Sequence, residues 1–186
     1  MNFIDKTLDT GRLTLAYAEW GNPEGIPVLA IHGWLDNAAT FTHLAEAMDL
    51  SNIRLITLDL PGHGLSDHRE QGQIYHLVEY VVDIVGAIKA LELDKVILLG
   101  HSLGGIIALL TTAAIPSMVD KLILLDSFGP MADKEAQVAD QLKKAISKIC
   151  LSTSRPQTVY SSIEDAVSVR LGGFGKISPD AARVLL

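Results

Sequence analysis

Residues 100–104 read Gly100-His101-Ser102-Leu103-Gly104. A serine with glycine two residues to either side is the spacing of a hydroxyl displayed on a sharp turn, where side chains at the flanking positions would collide. Such a turn holds its central residue in a strained backbone conformation and lifts the Ser102 hydroxyl clear of the chain around it. The chemistry open to that hydroxyl is nucleophilic attack on an electrophilic carbon, once a base takes its proton. The bare pattern arises by chance in roughly one chain of this length in twenty, so its setting has to carry the reading. Val96-Ile97-Leu98-Leu99 just before it is an unbroken apolar run, and Leu103 to Ile115 just after it is apolar nearly all round. This spacing predicts a buried strand feeding a buried helix, with the helix's first amides and positive dipole end facing any negative charge that develops at Ser102.

Three other segments end apolar runs in the same way. His32-Gly33-Trp34-Leu35 follows Val28 to Ile31. The Trp34 amide, on the residue that turns back over the sheet after the His-Gly pair, is assigned with the Leu103 amide to an oxyanion hole. Taken alone, His32-Gly33 reads as a strand-ending turn; beside the serine turn it reads as support for the site, together with Gly100, His101 and Gly104. Asp59-Leu60-Pro61-Gly62-His63-Gly64-Leu65-Ser66-Asp67 forms a tight loop in which Asp59 and His63 are expected to tie the backbone rather than move protons. Asp126 closes the run Leu122 to Leu125, at the strand end where α/β enzymes place working groups. It either orients a histidine as the acid of a triad or braces the loop it opens.

The elements that must position these residues follow from hydrophobic spacing. Val28 to Ile31, Leu55 to Leu58, Val96 to Leu99 and Leu122 to Leu125 are apolar on both faces, as parallel strands covered by helices on each side would be. Leu13 to Trp20 alternates apolar and polar residues and is expected as an antiparallel edge strand. Ala38 to Met48 and Tyr75 to Leu91 carry apolar residues at helical spacing. Alternating strands and helices predict an α/β three-layer sandwich with a mostly parallel sheet. The texture changes at Gly129-Pro130, which divides the chain into a core over residues 1–130 and a helical region over 131–186. That second region reads as helices over Asp133 to Ile149 and Ser162 to Leu171, then one opened by Ser178 as N-cap with Pro179 first. The sequence is read as breaking off within this third helix. Gly172-Gly173-Phe174-Gly175 is expected as a flexible connection, and Met131, Tyr160 and Phe174 as pocket-lining or packing residues.

Composition sets the outer limits. In 186 residues there are 15 Lys+Arg against 22 Asp+Glu, a net charge of −7, with pI near 5.2. Such a surface repels phosphate backbones and anionic lipid, so neither nucleic acid nor membrane is the expected partner. No apolar stretch is long enough to span a bilayer. With Cys150 the only cysteine, no internal disulfide can form, which fits a reducing cytoplasm. The histidines are too scattered for a zinc site and the glycines at 100–105 are not spaced as a phosphate loop, so no metal and no cofactor is expected.

These segments, in this order and spacing, resemble the α/β-hydrolase superfamily over about residues 10 to 130, with about six of the eight strands of that fold and a partial helical cap. Leu58-Asp59-Leu60-Pro61-Gly62-His63-Gly64 and Leu124-Leu125-Asp126-Ser127-Phe128-Gly129-Pro130 look most like its serine hydrolase-like branch, which is related to haloalkane dehalogenases and epoxide hydrolases. Those relatives carry Asp where this chain has Ser102. The resemblance therefore implies acyl transfer on a small, fairly apolar ester-type substrate, with a triad ordered serine, acid, histidine. The six histidines here are His32, His43, His63, His68, His76 and His101, and none follows the serine. The sequence is thus expected to be truncated before its general base and to show little activity alone. The alternative is a hydrolase-fold binding or interaction module without catalysis. In either case the strand ending at Asp126 would lie at an uncovered sheet edge, open to self-association.

Overall fold

The computed structural model describes residues 4–70, 72–129, 138–152, 159–173 and 177–186. Along a strand, successive side chains point to opposite faces of the sheet, and here both faces are apolar. Leu29 and Ile31 of β3 (Ile26–Ile31), Ile56 and Leu58 of β4 (Ile53–Leu58) and Leu98 of β5 (Val96–His101) pack into one buried cluster. Val28, Ala30, Leu55 and Leu99, the residues between them, pack into another. The first cluster is closed by Ile84, Ala87 and Ile88 of α2 (Leu77–Ala90) and by Ile107 and Ala108 of α3 (Leu103–Ala114). The second is closed by Phe41, from a 3-10 turn over Ala38–Phe41, and by Ala45 of α1 (Thr42–Ala47). Burying one such side chain contributes about 1.5–3 kcal/mol, so strands that are apolar on both faces need a helical layer on each. The result is the three-layer α/β sandwich that the hydrophobic runs predict.

The sheet has six strands in the order β1-β2-β4-β3-β5-β6, where β1 is Ile4–Asp9, β2 is Thr14–Gly21 and β6 is Val119–Leu125. β3, β4, β5 and β6 run parallel, while β2 pairs antiparallel with both β1 and β4. One expectation is corrected here. The Leu13 to Trp20 segment is antiparallel, but it is an interior strand, with β1 outside it. Leu15, Ala16, Ala18 and Trp20 are buried accordingly. β1 escapes a hydrophobicity reading because, as an edge strand, it carries apolar residues only at Ile4 and Leu8, with the polar run Asp5-Lys6-Thr7 between them. A second correction concerns α3, which is not buried all round. Gly104, Gly105, Ile107, Ala108 and Thr111 face the sheet and are buried, whereas Ala113 and Ala114 are exposed. The helix lies in an outer layer against β5, β6 and α2, so only its inner side is enclosed.

β6 ends the sheet on the side away from β1, with Ile123 40% and Leu125 38% exposed. Beyond Gly129 the described residues form α4 (Val138–Ser152), α5 (Ile163–Leu171) and α6 (Pro179–Val184). The expected cap is present, with Ser178 Oγ accepting from Ala181 N–H at 3.1 Å and Pro179 opening α6; Ser162 Oγ caps α5 in the same way, accepting from Asp165 N–H at 3.1 Å. α6 closes at Val184, before the last residue, instead of running to the end of the sequence. Tyr160 is exposed; Met131, Phe174, Gly175 and the first residues of the expected helix at Asp133 lie outside the described residues.

Candidate active site

β5 ends at His101 and α3 begins at Leu103, so Ser102 alone makes the turn between sheet and helix. Its backbone is at φ +50°, ψ −115°, a conformation few non-glycine residues adopt. The flanking glycines answer to geometry. A Cβ on Gly100 would stand 2.5 Å from the Gly105 Cα, and one on Gly104 would overlap the Ile31 carbonyl and lie within 2.6 Å of the His32 oxygen. Gly105 is needed as well, since its missing side chain makes room for Ser127. The Ser102 amide donates to the Leu125 carbonyl at 3.1 Å, which fastens the turn to β6. Ser102 itself is exposed, with no capping hydrogen bond from its side chain, so its hydroxyl is open to solvent.

The turn after β3 runs against this elbow. A Cβ on Gly33 would stand 3.3 Å from Ser102 Cβ, 3.1 Å from His101 Nδ1 and 3.2 Å from Asp36 Oδ2, so three side chains converge on one point. In that turn the Asp36 amide donates to the Gly33 carbonyl and the Leu35 amide to His63 Nε2 at 3.4 Å. Trp34 lies between them with 66% of its surface exposed. On the α3 side, the Gly105 and Ile106 amides turn back to the Ser102 carbonyl, and Leu103 occupies the helix's first position, where an amide has no partner within its own helix.

The histidines near the elbow hold backbone. His32 is fully buried; its Nε2 accepts from the Leu60 amide at 2.9 Å and its Nδ1 donates to the Gly33 carbonyl at 2.7 Å. Burial pushes its pKa down to about 3, outweighing the raising effect of the Gly33 carbonyl, so the ring stays neutral near pH 7. His63 Nδ1 donates to the Pro61 carbonyl at 3.1 Å, and the Asp59 carboxylate accepts from the amides of Ala38 and Leu65 at 2.6 and 2.8 Å. Asp59 and His63 thus tie the loop, as their setting in the sequence suggests. His101 turns toward Asp36, with Nδ1 at 3.7 Å from Oδ2 and no hydrogen bond at that nitrogen. His43, His68 and His76 are exposed elsewhere.

Asp126 leaves β6 beside the elbow, because the strand register pairs His101 with Leu125. It is exposed and its backbone is left-handed at φ +46°. The structure therefore gathers His32, Gly33, Trp34, Gly100, His101, Ser102, Leu103, Gly104 and Asp126 at one rim, the C-terminal ends of β3, β5 and β6. It adds Asp36, Asn37 and Arg170, which no local pattern marks. The Arg170 guanidinium, on α5, pairs with Asp36. An open cavity of about 760 Å³ lies at the opposite rim, lined by Trp20, Met48, Leu50 and an ion cluster of Lys6, Glu19 and Arg54, remote from Ser102. Among the described residues, no three His, Cys, Asp or Glu side chains are grouped to hold a metal ion, and no helix is long and apolar enough to cross a membrane.

A strained serine between a parallel strand and a helix packed on the sheet, beside the turn of the neighbouring strand, defines a hydrolase of the α/β type. Residues 26–149 match the family model for the alpha/beta hydrolase fold, and the chain belongs to that family. Among its relatives are a serine hydrolase-like protein of Danio rerio, 37% identical over 146 residues covering 76% of this chain and 44% of that protein, and one of Homo sapiens, 35% identical over 151 residues covering 79% and 74%. A 2-(acetamidomethylene)succinate hydrolase of Mesorhizobium japonicum is 31% identical over 183 residues, covering 98% of this chain and 60% of the enzyme. Among solved structures, a hypothetical protein of Pseudomonas aeruginosa PAO1 superposes with a TM-score of 0.91 at 35% identity, over 97% of this chain and 64% of that one. The chain thus spans less than two thirds of the length of several of the proteins it matches.

Proposed function

We propose that this chain is the nucleophile-bearing part of an esterase-like serine hydrolase for a small, fairly apolar acyl substrate. Ser102 attacks the carbonyl carbon, and the Trp34 and Leu103 amides hold the oxygen that becomes negative. Asp126 orients a histidine that lies outside these 186 residues. The helices beyond Gly129 form part of a cap over the rim and shape the acyl pocket. The observation that carries this reading is Ser102 itself, exposed on a strained φ of +50° where three glycines admit the turn. Strain of this kind is kept where the surrounding structure imposes it and function uses it.

The general base is the missing part. His32 and His63 already serve backbone groups, and His101 faces Asp36. The residues in hand therefore give little turnover by themselves, since loss of a triad member costs several powers of ten. The one cysteine, Cys150, is exposed and can form no internal disulfide, which suits a reducing, cytoplasmic setting.

The lack of a placed base favours one other reading, a hydrolase-fold binding module that keeps the elbow without catalysis. A serine-reactive fluorophosphonate separates the two when applied to the whole protein from which these residues come. Labelling that disappears in Ser102→Ala is expected of the enzyme. A whole protein with a late histidine that resists labelling points to the module.

A further inference from the structure

The turn that carries Trp34 is also where the C-terminal helices are fastened. Asp36, two residues on, pairs through Oδ1 with Arg170 of α5 and faces His101 through Oδ2. Asn37, the next residue, donates from Nδ2 to the Leu185 carbonyl at 2.9 Å, just past α6, while its Oδ1 accepts from the Ala39 amide at 3.0 Å. Ala182 of α6 is fully buried. Ala38, after Asn37, is bound through its amide to Asp59. Three consecutive residues thus anchor one turn to α5, to the end of α6 and to the loop after β4.

The Asp36–Arg170 pair is mostly enclosed, with side-chain exposures of 13% and 23%. A partly buried ion pair of this kind loses more when one partner is removed than a surface pair does, because the charge left behind is poorly solvated. Asp36 also folds back over Gly33, the residue in contact with the elbow, through its amide as well as its carboxylate. Any shift of Arg170 therefore reaches the Trp34 peptide through a single turn whose other bonds resist it.

We propose that Asp36 is a positioning residue that couples the seating of α5 to the oxyanion turn: Arg170 holds the Asp36 carboxylate, and Asp36 sets the Trp34 amide relative to Ser102. The coupling rests on the hydrolase reading only for the use made of the Trp34 amide; the mechanical link is a property of this chain. When Arg170 lets go, the turn relaxes and the amide leaves the place where a developing oxyanion would need it.

Two measurements test the link. In protein labelled with 15N-tryptophan, Arg170→Met is expected to shift or broaden the Trp34 backbone amide resonance, assigned by Trp34→Phe. Arg170→Lys is expected to restore most of it, and Arg183→Ala, which removes the exposed pair with Glu164, to leave it in place. In the whole protein, Asp36→Asn and Arg170→Met are expected to lower the maximal rate of fluorophosphonate labelling of Ser102 roughly tenfold, with little change in the concentration giving half that rate. Arg170→Lys should recover most of the rate, and the melting temperatures of the variants should stay within a few degrees of the parent. A Trp34 resonance indifferent to Arg170→Met, in a variant that remains folded, overturns the coupling. A whole protein in which Ser102 is never labelled removes the hydrolase reading and leaves the resonance test to decide the link.

Discussion

Replacing Ser102 with glycine asks whether the elbow stores strain. At φ +50°, ψ −115° a residue with a Cβ is held outside the common allowed regions, at a cost of about 1–3 kcal/mol. Glycine adopts such angles freely, so the substitution releases that strain in the folded state. Against this, glycine leaves the unfolded chain more freedom, an opposing effect of about 0.5–1 kcal/mol. Little else changes, because Ser102 is exposed and its side chain makes no capping bond. The net gain is about 1 kcal/mol, which for a chain of this size raises the melting temperature by about 2–4 °C. Ser102→Ala keeps the Cβ and therefore the strain, and should melt within about 0.5 kcal/mol of the parent. Thermal unfolding followed by circular dichroism, with parent, alanine and glycine variants under one set of conditions, reads the difference directly. A glycine variant that melts at or below the alanine variant would refute the strain argument, and with it the physical reason for taking this serine as a nucleophile.

The other expected outcomes follow from packing and charge. Gly104→Ala drives a methyl into the Ile31 carbonyl and close to the His32 oxygen, backbone atoms that cannot rotate away; it should cost about 3 kcal/mol or more, whereas Gly86→Ala, whose methyl meets only the Thr10 side chain at 3.1 Å, should stay within about 1 kcal/mol of the parent by urea unfolding. His32, ordinarily near 6.5 and pushed by burial to about 3, is protonated more readily in the unfolded chain, so its contribution to stability is complete above pH 6.5. That contribution falls as the pH drops from 6.5 toward 3, by up to about 1.4 kcal/mol per unit. An NMR titration should find the ring neutral down to about pH 4, and a midpoint near 6.5 would contradict its burial. Burial raises the Asp83 pKa, yet its carboxylate pairs with the enclosed Arg69 guanidinium, which Asp83→Ala would strand; a loss of about 3–5 kcal/mol is expected, most of it recovered when Arg69→Met is combined with Asp83→Leu. At the outer strand, Ile123→Lys places a charge on exposed β6 and should reduce any self-association seen by size-exclusion chromatography, while a parent chain already monomeric at high concentration removes the edge-pairing proposal.

Legibility in the sequence follows how local each constraint is. The elbow can be read because the collision at Gly100, with Gly104 and Gly105, arises within a few residues of Ser102, and the apolar runs on either side announce strand and helix; the collision at Gly104, with Ile31 and His32 of a different strand end, cannot be read locally. β3, β4 and β5 can be read because their C-terminal halves are buried and almost wholly apolar, and β6 because Leu122 to Leu125 is an unbroken apolar run although it lies at the open edge. β1 cannot, because Ile4 and Leu8 are its only apolar residues, and the polar run Asp5-Lys6-Thr7 between them resembles a loop. That omission also turned β2 into an edge strand. The Asp36–Arg170 pair joins residues 134 apart, and neither has a neighbour in sequence that marks it. The direction of His101 is hidden for a related reason: whether its ring faces Asp36 or the serine depends on a turn after a different strand. Asp126 is legible in place, at the end of β6, because it closes the apolar run Leu122 to Leu125.

Strain and bracing at this rim are linked. Among the described residues, three of the four non-glycine residues with positive φ follow β3, β5 and β6: Leu35 at +63°, Ser102 at +50° and Asp126 at +46°. Each costs free energy that relaxation would recover, so something must prevent that relaxation. The candidates are the buried side chains that serve buried backbone amides: His32 holding Leu60, Asp59 holding Ala38, and Ser66, whose Oγ accepts from the Ala16 amide at 2.8 Å while donating to the Asp59 carbonyl at 2.7 Å. A buried amide cannot exchange such a partner for water, so breaking one bond leaves an orphan that costs about 1–3 kcal/mol, comparable to the strain it opposes. The rim therefore stays strained because every route to relaxation first exposes or orphans a polar group. This is why His32 and Asp59, which serve only backbone groups, are needed for the geometry of the strained residues at this rim.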